Sequence, residues 1–167
     1  MDPVDLKLQK MRLLGTLVIN AGTGTVNIDD TCFMQPARAD FPVLIVKGKT
    51  VLEIYHATRQ YLSEADESHN FNPSGAPYLD VTDTDMADQY PSEIRGLIHV
   101  IGNVTIQHSG IYRGAILVQG TVTVDTDAPQ IIWDRNLIMN PPLGYSSNPA
   151  STTMILQSQS WTRQASP

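Results

Sequence analysis

Three stretches of the chain can be laid over one another. Ile98, Val100, Gly102, Val104 and Ile106 fall on Ile116, Val118, Gly120, Val122 and Val124 at a shift of 18 residues. Leu44, Val46, Gly48, Thr50 and Leu52 fit the same frame, with Thr50 the one polar departure. The shared unit is apolar-x-apolar-x-Gly-x-apolar-x-apolar. Its period of two on either side of the glycine describes two short strands that meet at a bend and turn alternate residues inward. A unit of this kind cannot bury its inner face alone, so successive units must stack. Eighteen residues make one turn of a triangular coil, at roughly six residues per side and about 3.3 Å each. Ile111, Tyr112 and Gly114 would mark the third side. The expected fold is therefore all-β: a right-handed parallel β-helix, or solenoid, forming a single domain over residues 1–167.

An antiparallel sandwich is the competing architecture, with each glycine closing a hairpin. Tight hairpins favour Asn-Gly or Asp-Gly, and neither stands at Gly48, Gly102 or Gly120. The stacked coil is the better account. Further strands are expected where Val4, Leu6 and Leu8 alternate with polar residues, and where Leu17 to Ile19 and Val26 to Ile28 flank a Gly-Thr-Gly turn. The opening residues, Met1 to Arg12, are too charged for a signal peptide or a membrane helix and read as a strand. One helix is expected, over Val51 to Ala65, with Ile54, Tyr55, Thr58 and Leu62 on one side. Residues 55–94 form a long insertion, and residues 140–167 are expected to cap the open end of the coil through Met154, Ile155, Leu156 and Trp161.

Composition removes several classes of function. The net charge of −6 makes a nucleic-acid backbone a poor partner. A single cysteine, Cys32, forbids an internal disulfide and has no ligand-spaced neighbours for structural zinc, so it reads as a small buried residue. Gly22-Thr23-Gly24 lacks the lysine and the helix of a phosphate loop. The histidines are scattered: His99 faces outward between Ile98 and Val100, His108 lies in a turn, and His56 and His69 belong to the insertion. None has the setting of a catalytic triad.

The insertion carries eight of the chain's seventeen acids. Asp80, Asp83, Asp85 and Asp88 form its sharpest cluster, and oxygen-rich loops of this kind suit calcium. The glycine and the terminal glutamate of the best-known calcium loop are missing, and a solvated loop whose Asp and Thr side chains bond their own backbone is the plainer account. Tyr55, Tyr61, Tyr78 and Tyr90 also concentrate there and would suit a protein or glycan partner. The plainer account is that they pin the loop to the coil. For a carbohydrate-active enzyme, two carboxyls would have to face each other across a groove. Glu53, Asp125, Asp127 and Asp134 are the wall acids available, with Arg113 and Arg135 the nearby bases of a lyase. Asp125 and Asp127 before Ala128-Pro129 read better as a turn, and no catalytic residue is assigned.

Three stretches carry a resemblance. They are Asn70-Phe71-Asn72-Pro73-Ser74-Gly75-Ala76-Pro77-Tyr78, the join from Tyr90-Pro91-Ser92 to Arg95-Gly96-Leu97-Ile98, and Asn140-Pro141-Pro142-Leu143-Gly144-Tyr145 through Trp161-Thr162-Arg163. Together they resemble the C-terminal region of planctomycete-type pilus-assembly (PilX-like) surface proteins. In repeat length the chain is also similar to the bactofilins, which are polymer-forming solenoids. The resemblance implies a bacterial envelope protein with a membrane anchor ahead of the coil. No anchor stands in this sequence, which leaves a cytoplasmic location open. The expected function is a non-catalytic structural or adhesive module that self-associates. A carbohydrate-active enzyme and a calcium-dependent ligand-binding domain are the alternatives.

Overall fold

The 18-residue frame becomes a hydrogen-bond register. In the computed structural model, which describes residues 3–54, 61–125 and 129–145, Leu44 pairs with Ile98 and Ile98 with Ile116. Leu52 likewise pairs with Ile106 and Ile106 with Val124. Every one of these pairings is parallel, which rules out the antiparallel sandwich.

The elements are β1 (Leu6–Leu14), β2 (Leu17–Gln35), β3 (Leu44–Glu53), β4 (Tyr61–Ser63), α1 (Glu64–Glu67), β5 (Gln89–Pro91), β6 (Glu93–Ile101), β7 (Val104–Gln107), β8 (Ile111–Val118), β9 (Val122–Asp125), β10 (Gln130–Ile132) and α2 (Asn136–Met139). All the strands except β4 and β5 belong to one eight-stranded curled parallel sheet. Its pairings fall into three ladders. The first joins Leu17–Asn20, Leu44–Lys47, Ile98–Ile101 and Ile116–Val118. The second runs from Leu6–Gln9 through β2, β3 and β7 to β9. The third runs from Met11–Leu14 through Cys32–Gln35, Glu93–Gly96 and Ile111–Gly114 to β10. Ile111, Tyr112 and Gly114, expected on a third side of the coil, belong to this third ladder.

The glycines mark where the chain turns from one ladder to the next, and packing explains why glycine stands there. At Gly102 (φ +154°) a Cβ would stand 2.1 Å from the carbonyl oxygen of Gly48 on the rung beneath, and at Gly114 (φ +143°) 2.2 Å from that of Gly96. Both contacts are with backbone, so neither can yield by a rotamer change. Between the bends the inward positions form one core. Val26, Ile28, Leu44, Val46, Leu52, Ile98, Val100, Val104 and Ile106 are buried in it together with Cys32 and Tyr112.

Two boundaries differ from the sequence reading. Residues 51–53 end β3 and residues 61–63 form β4, so of the helix expected over Val51 to Ala65 only Glu64 and Ala65, at the start of α1, are helical among the described residues, and residues 55–60 lie outside them. The ladder partners of Val51 and Leu52 outweigh the weak helical spacing, and Ser63 caps α1 by accepting from the Asp66 amide. The insertion stops short of residue 93, because Glu93 and Ile94 already pair with Phe33 and Met34. Of the expected cap, residues 146–167 lie outside the described residues. Residues 141–145 run along the outside of the sheet, where the Leu143 amide donates to the Asp40 carbonyl and the Tyr145 hydroxyl meets His99 Nδ1 at 2.5 Å.

Candidate functional site

The insertion is fastened to β1 at Arg12, and Lys10 of the same strand pairs with Glu67 at 3.0 Å. The Arg12 guanidinium donates to the carbonyls of Phe71 (Nε, 2.9 Å) and Ala76 (Nη2, 3.0 Å) and lies over the rings of Tyr78 and Tyr90, 5.1 Å and 5.8 Å from their centroids. Those two rings pack with Phe33 of β2 and with Phe71, which places them in a second small core. Tyr90 is buried, and its hydroxyl donates to Asp88 at 3.1 Å. Burial first, and then the Asp88 carboxylate, hold the Tyr90 phenol above the ordinary tyrosine range. The four tyrosines expected to share a binding surface are therefore divided. Tyr78 and Tyr90 pin the loop, Tyr61 is exposed on β4, and Tyr55 lies outside the described residues.

Above this pin the acids converge around Glu64, the first residue of α1. Its side chain is fully buried; Oε1 accepts from the Phe71 amide at 2.6 Å and Oε2 from the Asp88 amide at 3.2 Å. Carboxylate oxygens of Glu64, Asp83 and Asp85 lie within 4.8 Å of one another. Asn70 Nδ2 donates to Asp83 Oδ1 at 2.7 Å, and Asn72 Nδ2 bridges Asp83 (3.2 Å) and Asp88 (3.1 Å). Among the described residues, no lysine, arginine or histidine pairs with Glu64, Asp83, Asp85 or Asp88. Asp80 stands apart, exposed in a turn with Leu79 in which both residues have positive φ. The sequence reading therefore found Asp83, Asp85 and Asp88 but missed Glu64, Asn70, Asn72 and Arg12. The one local signal was the Asn-x-Asn pair, since Asn side chains recur where a loop bonds itself.

Glu53 meets His108 Nε2 at 3.2 Å, and Arg113 is drawn to the buried Glu93, which also pairs with Arg95. Asp127 lies outside the described residues. Burial pushes the Cys32 thiol up to about 12, which suits a core residue and opposes a nucleophile.

A second feature lies at the far end of the ladders. Val104 and Ile106 are 1% and 2% exposed; their partners on the next rung, Val122 and Val124, are 50% and 52% exposed. Tyr112 is 2% exposed and its partner Ile131 55%. These are inward positions, so the last rung presents the inner face of the sheet to solvent. Among the described residues, β9, β10 and the end of β8 also have no strand on their outer edge. No family model, curated protein or solved structure matches the chain. Among the described residues, no helix is long and apolar enough to cross a membrane.

Proposed function

We propose that this protein is a non-catalytic structural module whose three ladders belong to one right-handed parallel β-helix and which joins end to end with further copies of itself. The observation that carries this reading is the half-exposed apolar row of Val122, Val124 and Ile131 on an edge that, among the described residues, no further strand covers. Such an edge is a template for another strand. At the opposite end Leu8, Leu13, Leu17 and Ile19 are only partly buried against the core. One copy's last rung therefore offers the next copy's first rung the contacts that rungs inside the chain already make. Contact between unlike ends is head-to-tail, and copies stacked along the axis of the coil do not close into a ring, so the contact extends as a filament. The right hand follows the general rule for parallel crossovers. The resemblance to envelope proteins supports a place at a bacterial surface, where such a polymer would scaffold or adhere.

Sedimentation velocity over a wide concentration range, with negative-stain microscopy of the most concentrated sample, tests the reading. Growth into larger species is expected, and lysine at both Val122 and Val124 should abolish it without unfolding the chain. A monomer at every concentration contradicts it.

A further inference from the structure

The two ends of the sheet break off in different ladders. In chain order the strands begin with Leu6–Gln9 in the second ladder, Met11–Leu14 in the third and Leu17–Asn20 in the first. They end with Ile116–Val118 in the first, Val122–Asp125 in the second and Gln130–Ile132 in the third. Among the described residues the second and third ladders therefore hold five rungs each, and the first holds four.

Two copies can meet in two ways. Stacked by translation alone, the next copy sets Leu6–Gln9 on Val122–Asp125 and Met11–Leu14 on Gln130–Ile132. The first ladder is then one strand short. Ile116–Val118 and the next copy's Leu17–Asn20 face each other across about twice the 4.8 Å strand spacing, each with an unpaired edge. The inward residues there, Ile116, Val118, Leu17 and Ile19, stay only partly buried. Turned by one side of the coil, the next copy instead sets Leu6–Gln9 on Ile116–Val118, Met11–Leu14 on Val122–Asp125 and Leu17–Asn20 on Gln130–Ile132. No strand is missing. Every inward position still meets an apolar one: Met11 and Leu13 fall on Val122 and Val124, and Leu17 and Ile19 fall beside Ile131. The segments are three or four residues long in all three ladders, so one side can stand on another.

Translation has one point in its favour. Lys7 reaches Asp29, two places beyond its ladder partner Asn27, and a translated copy would bring Lys7 onto Thr123, again two places from an aspartate, Asp125. An exposed ion pair contributes little. A strand-wide gap forgoes a whole rung of backbone pairing and apolar burial.

We infer that successive copies join with a turn of one side, a third of a revolution about the coil axis. The strands of one copy then run on from those of the last as a continuous screw, and every third copy repeats the same orientation. This turn rests on the end-to-end joining proposed above and goes beyond it by fixing how the next copy is set.

Disulfide trapping on the full chain reads the orientation. With inward positions aligned, turned copies bring Leu14 of one beside Asp125 of another, whereas translated copies bring Gln9 there. All three positions are exposed, and neighbouring strands lie within disulfide reach. The paired variants are Leu14→Cys with Asp125→Cys, and Gln9→Cys with Asp125→Cys. The unaltered chain, with its buried Cys32, is the blank, and circular dichroism verifies folding. Each is oxidised at a concentration where sedimentation shows larger species, and the covalent products are followed on non-reducing gels. The Leu14 pair is expected to form covalent multimers at least about tenfold faster than the Gln9 pair. Equal rates, or a faster Gln9 pair, overturn the turn and leave joining intact. So does a sample of larger species in which neither pair cross-links. A monomer at every concentration overturns joining, and the turn with it.

Discussion

Ile106 on β7 and Val124 on β9 are ladder partners with opposite surroundings. Both are β-branched, both stand at an inward position and both belong to the same register, yet Ile106 is sealed while Val124 is half open. The same contrast separates Val104 from Val122 and Tyr112 from Ile131. Nothing in the residues themselves accounts for it. Burial here is conferred by the next rung, so each rung is stabilised by its neighbours, and among the described residues the last rung lacks one.

The largest effect should come from an interior bend. Gly102→Ala sets a Cβ against the Gly48 carbonyl at a backbone angle that alanine rarely adopts. It should cost about 3 kcal/mol or more, measured by urea unfolding. Next comes the paired truncation that addresses the contrast itself. Ile106→Ala should cost about 2–5 kcal/mol, and Val124→Ala in dilute solution within about 0.5 kcal/mol. Equal costs would break the comparison.

Alkaline pH probes the sealed interior from another side. Burial raises the Cys32 thiol from its ordinary 9.0 to about 12 in the folded chain. The unfolded chain therefore releases that proton first. The stabilisation is complete below pH 9 and is lost as pH rises from about 9 to about 12, at up to about 1.4 kcal/mol per pH unit. The urea midpoint should fall over that range, and Cys32→Ala should flatten the fall. The smallest effect is expected on the outer wall, where Lys7 meets Asp29 at 2.5 Å in an exposed pair. Lys7→Ala should leave the urea midpoint unchanged, since such pairs contribute little.

The interior of the sheet was legible because its signal is local and periodic. The frame through Leu44, Ile98 and Ile116 was a register, residue for residue. The first rungs were read as strands but not placed in that frame. The register slips between Asn20 and Thr25, where β2 carries extra residues around Gly22. The link from Met34 to Leu44 is also longer than the one from Tyr112 to Ile116, so Leu17 and Leu44, which pair, stand 27 residues apart and not 18. The insertion was hardest to read because its contacts are long-range. Arg12 reaches Phe71 across 59 residues, and Glu64 reaches Asp88 across 24. A run of aspartates announced an acidic loop, but no spacing in the sequence shows that a buried glutamate and an asparagine complete it.

The most direct measurement is hydrogen exchange on the intact chain at two widely separated concentrations. Amides of β3 and β7 should be protected in both samples. Those of Val122–Asp125 should exchange quickly when dilute and gain protection when concentrated, as a second copy covers the last rung. Exchange in β9 that is the same at both concentrations would contradict end-to-end joining.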